Sequence, residues 1–298
     1  MLQSAVRFEP VDLLTSAFAA LLCLVGLAGW STLDEKSVVP RLLVVALVPV
    51  AVARIRKLRP SPGTVQSIVQ DFYIAAAVVV IFDSLGPLIR AVNPHDKDAW
   101  LMAFDHRLFG FHPTVALERF ATPLLSDVLT FCYALYYFHP IILGGLLYAD
   151  DRRAGRTGQA RTFRRFAFVI VAVFYVSYVG YFLVPAVGPR FTLTHAGPLP
   201  RGAVARSIDS TLDFLERNKR DCFPSGHTMV VTTVLIEAAR RSRKTFLGFL
   251  PFAIGLVAAT VYGRYHYVAD VMAGMTLAIV TVPLAAWTLV RLDRRAVT

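Results

Sequence analysis

Apolar residues in this chain gather into long runs separated by short polar stretches rich in arginine. Eight runs read as membrane-crossing helices, at approximately 11–30, 38–53, 70–91, 124–148, 164–184, 226–240, 246–262 and 268–290. About 20 helical residues cross a hydrocarbon core of ~30 Å, so the second, sixth and seventh are short. Short helices sit at the edge of a cavity or borrow length from flanking arginines that snorkel. The first run, Val11 to Trp30, is too long for the apolar region of a signal peptide and lacks a small-residue cleavage site, so it is expected to stay as an anchor. A helix satisfies its own backbone polar groups in lipid, which predicts an all-α integral membrane fold of about eight transmembrane helices. The segment 92–123 is amphipathic, with Trp100, Phe104, Phe109 and Phe111 among His and Asp. It is expected to lie along the interface, the alternative being a surface loop with an aromatic belt. With no internal repeat, low-complexity tract or soluble domain, 1–298 reads as one membrane domain. Within it, 1–69 holds two N-terminal spans and 70–298 the main bundle, including the interfacial segment 92–123 and an outer loop 185–225.

Composition agrees. Of 298 residues, 56% are hydrophobic and 17% charged, with mean hydropathy +0.56. Soluble domains carry about 25% charged residues, and disordered or disulfide-stapled chains are excluded as well. Cys23 and Cys132 fall inside apolar runs and Cys222 in a polar loop, which makes no disulfide framework. The net charge of +11 comes from basic residues clustered between spans, a pattern of membrane orientation and anionic headgroups and not of nucleic-acid binding. The clusters Arg54, Arg56, Lys57, Arg59; Arg152, Arg153, Arg156, Arg161; Arg241, Arg243, Lys244; and Arg294, Arg295 all fall on one side, whereas the short loops 31–37 and 263–267 hold only Lys36 and Arg264. Both termini are therefore expected in the cytoplasm. The bias of arginine over lysine fits a GC-rich bacterial genome, hence a bacterial cytoplasmic membrane.

The chemistry concentrates in two stretches. Cys222-Phe223-Pro224-Ser225-Gly226-His227-Thr228 builds a turn into a helix start, whose free N–H groups and positive dipole end attract an anion. Its plain alternative is an ordinary N-cap beside a helix-end histidine. Tyr262-Gly263-Arg264-Tyr265-His266-Tyr267-Val268-Ala269-Asp270 joins the seventh and eighth spans. His266 and Asp270 are four apart, so on a helix they share a face, and the carboxylate can fix the imidazole tautomer. The alternative is an interfacial His paired with a helix N-terminal Asp. The sixth span leaves the outer surface after His227 and the seventh returns before His266, so a helical hairpin predicts both imidazoles on one membrane face. Ionisable groups at membrane depth are costly and point to function. Two imidazoles, a carboxylate, a helix N-terminus and nearby arginines suit phosphoryl transfer through a phosphohistidine.

These residues resemble the type 2 phosphatidic acid phosphatase superfamily. The pair Pro224-Ser225-Gly226-His227 and His266-Tyr267-Val268-Ala269-Asp270 carries the resemblance. Asp105-His106-Arg107-Leu108-Phe109-Gly110 with Pro113, and Pro185-Ala186-Val187-Gly188-Pro189-Arg190, resemble upstream elements of its inositol phosphorylceramide synthase branch. The resemblance covers roughly 100–285. It implies a six-helix bundle with the site near the outer interface, His266 as nucleophile, Asp270 as its orienting partner, and His227 as general acid and later base. It implies no metal and no cofactor. Hydrolytic members carry a Lys-x6-Arg-Pro element and an arginine six residues before the second histidine. Here Lys57-Leu58-Arg59-Pro60 has the wrong spacing and side, and the second position is Thr260. Arg264, Arg190 or the cluster Arg217, Lys219 and Arg220 is left to hold the phosphate, with Ser225 and Gly226 of the helix start.

Other polar residues weigh less. Asp105, Tyr137 and Tyr262 are candidate pocket residues; the stretch Phe131–Pro140 lines a lipid groove or simply packs the bundle, with His139 a satisfied contact. Asp83 and Asp127 are expected at the interface. Asp209, Asp213 and Glu216 lack tight ligand spacing for a metal and read as solvated helix surface.

The reading is a lipid phosphotransferase: a phospholipid donor, an alcohol or lipid acceptor, and the bilayer as its partners. With water as acceptor the same machinery is a phosphatase. A proton-coupled transporter is disfavoured because His and Asp sit at span ends without paired broken helices, and a dead lipid-binding protein would leave the His–His–Asp set idle.

Overall fold

The computed structural model describes residues 8–58, 64–208 and 219–295. Arg59, Pro60, Asp209, Asp213, Glu216 and Arg217 lie outside the described residues. The protein is an all-α integral membrane protein, with helices and no strand among the described residues. Seven helices or helix pairs are long and apolar enough to cross a membrane. They correspond to the predicted runs except the sixth, which forms a helix of 16 residues.

The chain falls into two compact units, divided between Pro94 and His95. The first unit packs α1 (Pro10–Ala28), α2 (Val38–Leu58) and α3 (Thr64–Val92) on one another. Their outward leucines and valines, such as Leu24, Val44 and Leu47, stay exposed as a lipid-facing surface must. Asp12, fully buried, is satisfied by Arg56 and by the Tyr73 hydroxyl at 2.5 Å. Asp83 pairs with Arg41 at 3.1 Å.

The second unit opens with the predicted interfacial helix, α4 (Asp98–Phe109), which ends at Gly110 in a left-handed conformation that glycine adopts without strain. Trp100, Phe104 and Leu108 are exposed on one side of α4, and Asp98, Leu101 and Asp105 are buried on the other. The fourth run is one crossing in two pieces, α5 (Pro123–Ala134) and α6 (Phe138–Arg153), joined by a 3₁₀ turn at Leu135–Tyr137. Pro140 has no N–H for the Tyr136 carbonyl, which breaks the ladder there. His139 Nδ1 meets the Leu135 carbonyl at 2.7 Å, the satisfied contact expected of it.

Next come α7 (Thr162–Leu183), α8 (Gly226–Arg241), α9 (Arg243–Tyr262) and α10 (Val268–Arg295). α7 is buried along most of its length and packs on α6, α8 and α10. α8 and α9 form a hairpin linked by Ser242 alone, which caps α9 by accepting from Thr245 N at 3.1 Å. Ion pairs fasten the helix ends on the hairpin's side. Arg164 grips Asp293 in a bidentate pair at 2.7 and 2.8 Å, Arg241 meets Asp150 at 2.7 Å, and Arg165 pairs with Glu237. The opposite ends of the same helices carry the two histidine motifs.

Candidate functional site

His227 owes its place to the cap one turn before it. The Ser225 hydroxyl, fully buried, accepts from Thr228 N at 3.3 Å and lies 3.1 Å from the Thr228 hydroxyl, which starts α8 at Gly226. The Ser225 amide donates to the Asp270 carbonyl at 3.1 Å, tying the start of α8 to the start of α10. Gly226 is required here, because a Cβ would run into the Tyr181 hydroxyl of α7.

His266 is placed by the turn that ends α9. The Thr260 carbonyl accepts from both Tyr265 N and His266 N at 3.0 Å, and Arg264 directly before them sits at φ 67°, a left-handed conformation that costs a non-glycine residue about 1–2 kcal/mol. Gly188, at φ 91°, approaches this turn so closely that a Cβ would stand 2.6 Å from the Tyr265 carbonyl oxygen. The result is that His227 Nδ1 lies 3.3 Å from His266 Nε2. Two aromatic rings hold His227: Tyr133 at 4.6 Å between centroids and Tyr136 at 4.2 Å, the latter on the 3₁₀ turn between α5 and α6. Tyr133 stacks in turn on Tyr265 at 4.4 Å.

The other nitrogen of His266 has two acceptors. The Cys222 carbonyl is 2.8 Å away and Asp270 Oδ2 3.5 Å, so the nearer partner is one that the sequence reading did not name. Both draw the proton to Nδ1 and leave the Nε2 lone pair facing His227. Asp270 Oδ2 is itself held by the Tyr267 amide and the Cys222 thiol, both at 2.8 Å. Burial first, then the neighbouring Asp270 carboxylate, pushes the Cys222 thiol well above its ordinary range, so it stays protonated and donates. Cys222, His266 and Asp270 are also the described residues whose ligand atoms lie close enough, within 4.8 Å, to hold a metal ion. The thiol proton and the ring proton already engage those atoms.

Helix α4 braces this assembly through two buried carboxylates seven residues apart. Asp98 accepts from Val187 N at 3.0 Å, Gly188 N at 2.8 Å and the Tyr267 hydroxyl at 2.9 Å. Asp105 accepts from Val268 N and Ala269 N, both at 2.9 Å, and so caps α10 from another helix. Burial raises the Asp105 carboxyl above its usual range, against the pull of those two amides and of His112. Asp105, expected as a pocket residue, is thus a structural cap.

A cavity opens in front of the histidines, lined by His227, His266, Arg190, Lys219, Arg264 and Asp221 among others, and measuring about 40 Å³. Burial pushes the Asp221 carboxyl up to about 6, with His266 and Lys219 pulling the other way. Arg264 Nη2 bonds Glu118 at 3.1 Å, and its buried Nε has no partner among the described residues. Burial raises the Glu118 carboxyl, but the Ala196 amide, His195 and Arg264 outweigh it and hold it below the usual range.

Of the residues expected at the phosphate, Arg190, Arg264 and Lys219 line this cavity and Gly226 and Ser225 stand behind it as helix start and cap. Arg220 is turned to Asp96, at 2.6 and 3.0 Å. Tyr262 bonds the Ser126 hydroxyl at 2.7 Å and lines a smaller cavity beyond Tyr133 and Tyr265, and Tyr137 packs beside Tyr133. Asp127 caps the helical residues 203–208 through Val204 N and Ala205 N. The sequence reading did not single out Asp98, Glu118, His195 or Asp221, and it named Tyr133 and Tyr136 only as part of the stretch Phe131–Pro140, not as partners of His227. For Asp98 a signal existed: its spacing from Asp105 places both on the polar face of one amphipathic helix.

The sequence model of the PAP2 superfamily matches residues 99–284. Neither a curated protein nor a solved structure matches the chain.

Proposed function

The chain belongs to the PAP2 superfamily, whose members are phosphatases or phosphotransferases, and from that premise we propose a lipid phosphotransferase that works through a phosphohistidine, similar to the inositol phosphorylceramide synthase branch. The observation that carries the proposal is the 3.3 Å approach of His227 Nδ1 to His266 Nε2 at a cavity lined by three cations. In the first step the His266 Nε2 lone pair attacks the phosphorus of a phospholipid. The bond from phosphorus to the diacylglycerol-like oxygen breaks, and His227 supplies the proton that this oxygen takes up. Arg190, Arg264, Lys219 and the amides at the start of α8 hold the non-bridging oxygens. In the second step His227 takes the proton of an acceptor hydroxyl, its oxygen attacks phosphorus, and the N–P bond breaks. Asp270 and the Cys222 carbonyl keep the proton on Nδ1 throughout. Hydrolysis differs only in taking water as acceptor. Transfer is favoured because position 260, where hydrolytic members carry arginine, is a buried threonine whose hydroxyl bonds the Val257 carbonyl at 2.7 Å. Purified protein given labelled phosphatidylinositol with and without ceramide or a polyol is expected to move label to the added alcohol. Release of labelled inositol phosphate to water regardless of acceptor would establish hydrolysis instead.

We further place the site on the extracytoplasmic side of the membrane, with both termini cytoplasmic. Support comes from the arginines paired at the far helix ends, Arg164, Arg165 and Arg241, which follow the positive-inside rule. In spheroplasts, a cysteine introduced at exposed Lys219 is expected to react with a membrane-impermeant maleimide and one at exposed Arg243 not to. The reverse pattern overturns this orientation.

A further inference from the structure

The chain lacks the arginine that hydrolytic relatives place six residues before the second histidine, so the cations at its cavity need their own means of being held. One of them, Arg264, is seated on Glu118. This glutamate lies in a 3₁₀ turn at Leu117–Phe120, its side chain only 14% exposed. Its Oε1 takes Arg264 Nη2 at 3.1 Å and His195 Nδ1 at 2.5 Å, and its Oε2 takes the Ala196 amide at 3.1 Å. The second nitrogen of His195 is 3.0 Å from the Pro189 carbonyl, one residue before Arg190. Arg190 N donates to the Arg264 carbonyl at 2.9 Å. One carboxylate therefore fixes the guanidinium of Arg264 and, through the imidazole of His195, the backbone that carries Arg190. Three segments distant in sequence meet there, with His195 as the strut. A guanidinium held on one side by a carboxylate keeps its remaining N–H groups aimed in one direction, and Arg264 lines the cavity.

We infer that Glu118 is a positioning residue for phosphate: braced by His195, it holds Arg264 and the Arg190 turn at the cavity, and so sets affinity for a phosphate group. The inference rests on Arg264 being a phosphate-binding cation.

Orthophosphate is the probe, titrated calorimetrically into the full chain in micelles. Arg264→Ala is expected to weaken binding about tenfold, and Glu118→Ala by nearly as much. In the double variant the loss should stay within about twofold of Arg264→Ala alone, because residues acting as a unit do not add. Glu118→Gln, which keeps an acceptor oxygen without the charge, should recover part of the loss and serves as the test where the alanine variant does not fold. With phosphatidylinositol as substrate, the same variants should raise KM, whereas a merely structural defect would lower kcat by loss of folded enzyme. If Glu118→Ala and Glu118→Gln bind orthophosphate as the parent does while Arg264→Ala does not, or if the two losses add in full, Glu118 has no such role. If Arg264→Ala itself leaves affinity unchanged, the assignment of Arg264 falls and the inference with it.

Discussion

Replacing His266 with alanine is expected to remove turnover by at least about 10⁴-fold, since loss of a nucleophile leaves only binding and charge stabilisation to act. The same change should abolish labelled phosphate trapped on the protein after an acid-free quench. His227→Gln should behave differently. It loses the acid of the first step and the base of the second, each worth about 10²–10⁴-fold, yet keeps the nucleophile. Adduct should therefore form slowly and outlast that of the parent protein. A chiral phosphorus should emerge with retained configuration, the sum of two inversions. Full activity in His266→Ala, or net inversion, would refute the two-step route. The physical basis is the lone pair on His266 Nε2: the Cys222 carbonyl at 2.8 Å and Asp270 hold the proton on the other nitrogen.

The largest effect on stability is expected at Asp105. Its carboxylate is 1% exposed and accepts from two successive amides at the first turn of α10. Asp105→Ala leaves both without that acceptor, the Ala269 amide buried and the Val268 amide partly so, at about 1–3 kcal/mol each, and removes a negative charge from a helix N-terminus. A loss of about 2–5 kcal/mol should appear as a lower unfolding midpoint in micelles. Asp105→Asn keeps one carbonyl acceptor and should fall between. Activity should drop further than folded protein does, because the turn that Asp105 caps is the one that sets Asp270 against His266. An unchanged midpoint in Asp105→Ala would show that water or another group satisfies those amides.

Much of the fold was legible in advance, and for a simple reason. In a membrane the apolar run and the crossing helix are the same object, so eight runs anticipated the helices to within a few residues at most ends. Of the three runs expected to be short, only the sixth is short in the structure, at Gly226–Arg241, whereas the second and seventh extend to 21 and 20 residues. The two histidine motifs were legible because a helix start and a helix end are local, and a hairpin with one linking residue leaves little choice of geometry. Roles that depend on distant partners were not. Asp105 was read as a pocket residue and caps a helix. Arg220 was read as a phosphate ligand and pairs with Asp96. The grouping of α3 with α1 and α2 also depends on packing that a hydropathy pattern does not contain.

By itself the sequence determined that the chain is an all-α membrane protein of the PAP2 superfamily carrying two histidine motifs at span ends. Hydropathy and short-range helix chemistry act within a few residues, so order along the chain suffices for them. Only the tertiary structure decided which groups surround those histidines: a cysteine carbonyl and thiol from a loop, two carboxylates from α4, two tyrosines presented where a proline breaks a helix, and a glutamate holding Arg264. A buried hydrogen bond is specified by distance and direction between segments up to about 170 residues apart, as for Asp98 and Tyr267, and that specification arises only when the helices pack.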